Sequence, residues 1–188
     1  MKKFKRRGTV ISSHLSEYEV SLLTNLVDQL IGMVAEDQQL PAPDVDPFEA
    51  LARDLEQKSD PPEDPVLRRL FPDAYPADPE ASADFRRFTQ RELSEKKVTE
   101  ALAVRAGLEQ TQGGAYEVKI PVAEADVWLR TLTSLRLAVA VRLGISDADS
   151  ADELADLPED DPRAFMASIY DWLGFAEETL ISALYRAR

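Results

Sequence analysis

The 188-residue chain has no cysteine. That excludes disulfides, thiolate nucleophiles, cysteine-ligated zinc and any thiol redox switch. Histidine is nearly missing too: His14 stands alone. A Ser-His-Asp triad would have to use it, yet no serine sits in a G-x-S-x-G turn. Without a second histidine to share a metal, His14 reads as an ordinary strand residue. Glycine is sparse, and its one pair, Gly113-Gly114, follows a helix and precedes a strand. A phosphate-binding loop needs the reverse order. No apolar run approaches the ~18 residues of a membrane span. The basic start, MKKFKRRGTV, lacks the apolar stretch of a signal peptide. A cytoplasmic protein without membrane contact is the simplest expectation. Acid is abundant and the net charge is −13, which disfavours non-specific nucleic-acid binding by the body of the protein. The acids cluster in loops rather than at i, i+3 or i+4 inside an apolar helix, so their spacing marks no metal site. No cofactor and no metal are expected, and no catalytic constellation is evident.

The apolar pattern is helical. From Glu124 to Leu143, Trp128, Leu132, Leu135 and Val139 share one face, while Leu137 and Val141 fall opposite. A helix apolar on both sides is surrounded by other elements, so this one reads as the centre of a bundle. Ser16-x-x-Glu19 forms a capping box. The helix after it carries Leu22, Leu26, Leu30 and Met33, with Leu23, Val27 and Val34 widening the face. Asp-Pro recurs at 46, 60, 64, 78 and 161. Aspartate caps a helix and proline suits its first position, so most of these pairs should open helices. The expected helices are Phe48–Gln57, Val66–Phe71, a long bent or broken one from Glu80, and a last one from Arg163. Leu93, Ala101, Val104 and Leu108 share a face of the long one. In the last, Phe165, Ile169, Trp172, Ala176 and Ala183 share a face, and Gly174 implies a neighbouring backbone passing close. Both tryptophans, Trp128 and Trp172, read as core. Met33 and Met166 fall on faces read as buried.

Two short stretches read as strands: the N-terminal segment, with Gly8 permitting a turn or bulge, and Ala115–Ile120. The fold class is therefore mainly α: one domain over 1–188, a helical bundle with a small two- or three-stranded β element from the N-terminal segment and residues about 115–120. Acidic, proline-rich loops are expected at about 37–47, 58–64 and 145–162.

Charge is uneven. Lys3, Lys5, Arg6 and Arg7 make a basic arm, and Arg68, Arg69, Arg86 and Arg87 form two adjacent pairs beside Phe71, Phe85 and Phe88. The plain reading is solvated charge and ion pairs to the many carboxylates. The sharper reading is an interaction surface, where arginine and aromatic residues are enriched. These eight residues are the candidate site.

The stretch DPVLRRLFPDAYPADPEASADFRRFT (64–89) resembles an actinobacterial family long known only as a domain of unknown function, which includes AosR-like oxidative-stress regulators. VWLRTLTSLRLAVAVRLG (127–144) and YDWLGFAEETLISAL (170–184) resemble the same family. The resemblance implies a non-enzymatic cytoplasmic transcription regulator that acts by protein contact, with a sigma factor or other transcription component as partner. A homodimer is compatible with it. The redox response attributed to that regulator rests on a C-x-x-x-C pair, which this chain lacks, so the resemblance carries the contact role without cysteine sensing. The alternatives are nucleic-acid binding through the basic N-terminal arm and, less favoured, an enzyme with a carboxylate metal site.

Overall fold

The computed structural model describes residues 1–37, 60–155, 157–158 and 160–185. The expected helix Phe48–Gln57 and the loop at about 37–47 lie outside the described residues, apart from Asp37. Six α-helices and a three-stranded antiparallel sheet are present among them: β1 (Lys5–Arg7), β2 (Val10–Ser13), α1 (Glu17–Asp37), α2 (Pro65–Leu70), α3 (Pro79–Glu109), β3 (Val118–Pro121), α4 (Ala125–Leu143), α5 (Ala148–Ala155) and α6 (Ala164–Tyr185). The mainly α class with a small β element is what the pattern called for.

The sheet runs in the order β1-β2-β3. Gly8, at φ +62°, makes the hairpin turn between β1 and β2, a conformation that costs glycine little. Ile11 faces Ile120 across the second ladder, and both are fully buried. That pair ties the N-terminal segment to the chain entering α4.

α4 packs against α2, α3 and α6 and touches α1. Trp128, Leu132, Leu135 and Val139 are buried, and Leu137 and Val141 are half-buried on the other side. Gly144, at φ +76°, closes its C-terminus. On α1 the buried stripe is Val20, Leu23, Val27, Leu30 and Val34. Leu22, Leu26 and Met33 only flank the core, so the helix is rolled from the face expected.

The Asp-Pro signals place two helix starts. Asp64 accepts the Val66 amide at 2.7 Å and Asp78 the Ala81 amide at 3.0 Å, each with proline just inside the helix. Asp64 also takes Arg142 Nη2 at 2.7 Å, joining the start of α2 to the end of α4.

Five expectations need correction. α3 is one continuous helix of 31 residues, neither broken nor split. Its sequence has no internal proline, and nothing else interrupts its ladder. Leu93 lies in solvent, and only Ala101, Val104 and Leu108 from that face enter the core. The acidic stretch at about 145–162 is not all loop: it contains α5, whose start is held by reciprocal bonds between Asp147 and Ser150 and whose Leu154 is buried. Acids near a helix N-terminus favour the helix, so the charge run was a start signal. In α6, Phe165 and Met166 are exposed, while Ala167, Leu173 and Leu180 fill the core instead. Gly174 makes room for a side chain rather than a backbone: a Cβ there would lie 3.2 Å from the Arg136 guanidinium.

Glu19 connects three parts of the fold. It accepts the Ser16 amide at 2.8 Å and the Ser16 hydroxyl at 2.9 Å. It also takes Trp172 Nε1 at 3.2 Å and pairs with the Met1 α-amino group. Burial alone would raise its pKa. The hydrogen bonds from the amino group and from Ser16, with the positive charge of the amino group, outweigh burial and hold it below the usual 4.5. A depressed carboxyl stabilises the fold above its unfolded pKa and stops doing so as pH falls through its folded pKa. Glu19→Gln is therefore expected to lower stability by about 1–3 kcal/mol at pH 7. The gap to wild type should close below pH 4.5, read by urea denaturation across pH. A gap that persists unchanged in acid would mean that the charge contributes nothing.

Candidate interaction face

The buried apolar residues of α3 all lie in its C-terminal half, and its N-terminal half leaves its large apolar side chains outward. Tyr75, Phe85, Phe88 and Leu93 are all exposed, Phe88 most, at 66%. Tyr75 meets Phe85 edge to face, with centroids 6.2 Å apart. The Arg87 guanidinium lies over the Phe88 ring at 4.6 Å. The loop carrying Tyr75 is fastened by Ser82: its hydroxyl donates to the Tyr75 carbonyl at 2.8 Å and accepts the Tyr75 amide at 3.1 Å. This ridge of rings is therefore held in place rather than loose.

Beside the ridge, a groove of about 340 Å³ lies between α2, α3 and α4. Leu70, Phe71, Phe85 and Leu93 give it apolar walls, and Arg86, Lys96, Lys97 and Arg130 give it cations. Among the described residues that line it, the one acid, Glu100, accepts Arg130 Nε at 2.8 Å. In a chain of net charge −13, this is a local inversion of sign.

The eight residues singled out by sequence divide. Arg86 is buried and pairs with Asp73. Arg87 stacks on Phe88 and reaches Asp84 at 3.3 Å. Arg68 donates to the carbonyls of Pro62 at 2.6 Å and Glu63 at 3.1 Å, fixing the entry to α2. Arg69 faces a different groove, of about 320 Å³, with Arg136, Asp147, Tyr170 and Glu177. Arg136 stacks on Tyr170 at 4.4 Å and reaches Glu177 at 3.3 Å. In the arm, Arg6 donates to the Leu184 carbonyl at 3.0 Å, capping the end of α6. Lys3, Lys5 and Arg7 are exposed along the edge strand, where cations discourage pairing with another chain. Phe4 is buried, so it offers no ring to a base. Of the eight, Arg87 alone stands on the ridge; Arg86 lies buried beside it at the groove, and Arg68, Arg69 and the arm lie elsewhere.

Sequence reasoning missed Lys97. It falls on the buried stripe of α3, in the spacing Ser94, Lys97, Ala101, Val104, Leu108, and that register was the available signal. Its Nζ donates to Ser134 Oγ at 3.0 Å and sits 5.7 Å from the Phe71 ring centroid. Burial pushes the amine below the ordinary lysine range, with Glu100 pulling the other way. Among the described residues, no three histidine or carboxylate side chains gather as a metal-holding group, and no helix is long and apolar enough to cross a membrane.

Residues 1–184 match the model of a family described as a domain of unknown function, DUF2017. The chain belongs to this family. Among proteins similar to this DUF2017 member are the oxidative stress regulators AosR of Mycobacterium bovis and Mycobacterium tuberculosis. Each is 28% identical, over 97% of this chain and 86% of the relative. The putative oxidative stress regulator AosR of Mycobacterium leprae is 27% identical, over 98% of this chain and 88% of its own. No solved structure matches the chain. The relatives' names point to a regulatory role for this DUF2017 chain.

Proposed function

We propose that the protein is a non-enzymatic cytoplasmic regulator, acting as one domain over residues 1–188. It works by contact with a sigma factor or other transcription component and without cysteine redox sensing. The observation that carries this reading is the fixed ridge of exposed aromatic residues on α3, topped by Arg87 on Phe88. Aromatic and arginine side chains are enriched among the residues that anchor protein interfaces. The relatives named as oxidative stress regulators, aligned over nearly the whole chain, support the regulatory half. The missing cysteines are why the contact is separated from thiol chemistry.

The test is titration of purified extracytoplasmic-function sigma factors and core RNA polymerase from the source organism against the full chain, by calorimetry. Binding is expected to weaken as salt rises, since the acidic body favours a basic partner surface. Phe88→Ala should weaken it about tenfold or more while the thermal melt is unchanged, because the ring is exposed. If no transcription component binds, the reading fails. If one binds Phe88→Ala and wild type equally, the ridge is not the contact.

A further inference from the structure

The groove beside the ridge is long and has two different ends. Its α3 wall runs from Phe85 to Glu100, about four helical turns or roughly 22 Å. A volume of about 340 Å³ spread over that length makes a shallow trough. Such a trough holds side chains laid along it rather than enclosing a small molecule. Phe85, Thr89 and Leu93 stand one turn apart along this wall, and Lys96 and Lys97 follow. The wall is thus apolar for its first turns and cationic after them. Arg86 is offset by Asp73, and Arg130 by Glu100, whose side chain is only 13% exposed. Glu95 pairs with Arg91 outside the lining. Lys96 and Lys97 therefore set the sign of the groove, against a chain of net charge −13. The walls are helices, which offer no sheet edge for an added strand. Recognition falls to side chains, as when an amphipathic helix lies in a groove.

We propose that this groove receives an acidic amphipathic helix of the protein partner. Apolar residues one turn apart on that helix seat against Phe71, Phe85 and Leu93, and its carboxylates meet Lys96 and Lys97. The groove's role rests on reading this face as a protein contact; what is added is the chemistry of the segment it takes. The partner is then two-signed. A basic surface suits the acidic body at long range, and an acidic segment suits the groove at contact.

Two synthetic helical peptides, titrated into the full isotope-labelled chain and followed by NMR amide shifts, test this. Both carry leucine at i, i+4, i+7 and i+11, with glutamate at the polar positions of one and lysine at those of the other. The body of the protein favours the lysine peptide, whereas the groove favours the glutamate peptide. The glutamate peptide is expected to shift the amides of Leu70, Phe71 and the stretch from Phe85 to Glu100. It should bind there about tenfold or more tightly than the lysine peptide. Lys96→Glu, with an unchanged melting curve, should weaken the glutamate peptide about tenfold. Tighter binding of the lysine peptide in the groove, no shifts with millimolar glutamate peptide, or equal binding by Lys96→Glu would each overturn the proposal. Shifts at the same amides on raising the protein concentration alone would assign the groove to a second copy, and would overturn it too. None of these outcomes bears on the sigma-factor titration, so the contact reading stands or falls separately.

Discussion

Gly114→Ala is expected to cost about 3 kcal/mol or more of folding stability, seen as a lower midpoint in urea. Gly114 sits at φ +89°, a backbone conformation that a Cβ resists. Space adds to the penalty. An alanine Cβ would lie 2.8 Å from the Leu15 carbonyl oxygen, 2.9 Å from the Glu17 amide nitrogen and 3.0 Å from the Ser16 carbonyl carbon. All three are backbone atoms at the capping box of α1, so no side chain can rotate aside. The turn itself is tied down. The Thr111 hydroxyl donates to the Leu108 carbonyl at 2.7 Å and accepts the Gly114 amide at 3.2 Å. Relief therefore means moving the start of α1 away from the end of α3. Gly32→Ala is the control: it lies inside α1 with nothing within 4 Å of its Cβ, and should stabilise by about 1 kcal/mol. A Gly114→Ala protein within about 0.5 kcal/mol of wild type would show that the two helix ends are not locked together.

That contact shows where sequence reasoning reaches and where it stops. Ser16 and Glu19 were legible as a capping box because the partners sit three residues apart, and the structure closes both reciprocal bonds. Asp64-Pro65 and Asp78-Pro79 were legible for the same reason: the cap and the first turn are neighbours in the chain. The four-residue face of α4 was legible because helical period and burial agree along it. The pairing of Ile11 with Ile120 was only an inference of adjacency, since nothing local fixes a register across more than a hundred residues. Gly114 is legible only as part of a glycine pair between a helix and a strand, and the backbone of Leu15 pressed against it has no local signature.

The candidate site was less legible than the fold. Arginine beside phenylalanine reads alike whether the rings turn in or out. Phe71 turned in, whereas Phe85 and Phe88 turned out. Arg86 is buried on Asp73 while its neighbour Arg87 stacks on an exposed ring, since residues one apart on a helix do not share a face. Lys97 is hard to see in the sequence because a cation on a buried stripe runs against the helical apolar period. Such local conflicts concentrate where a fold serves something besides stability.

Trp128→Ala should destabilise the protein by about 3–5 kcal/mol. The indole is 3% exposed at the start of α4, and it lies directly over Gly107 of α3. A Cβ on Gly107 would come within 2.7 Å of Trp128 Cζ2. The glycine inside α3 has a cause in this contact, because the ring occupies the place where a side chain would stand. Two opposed effects then meet in Gly107→Ala. Helix propensity favours alanine by about 1 kcal/mol, and overpacking against a buried ring costs about 1–3 kcal/mol. In the wild-type background the clash should win, and the substitution should destabilise. In the Trp128→Ala background the ring is gone, and the same substitution should stabilise by about 1 kcal/mol. Residues in contact couple in this way, whereas distant ones add. The sign reversal in a double-mutant cycle, measured by urea denaturation, identifies the α3–α4 contact itself. Simple additivity would instead mean that Gly107 is glycine for a reason unconnected with Trp128.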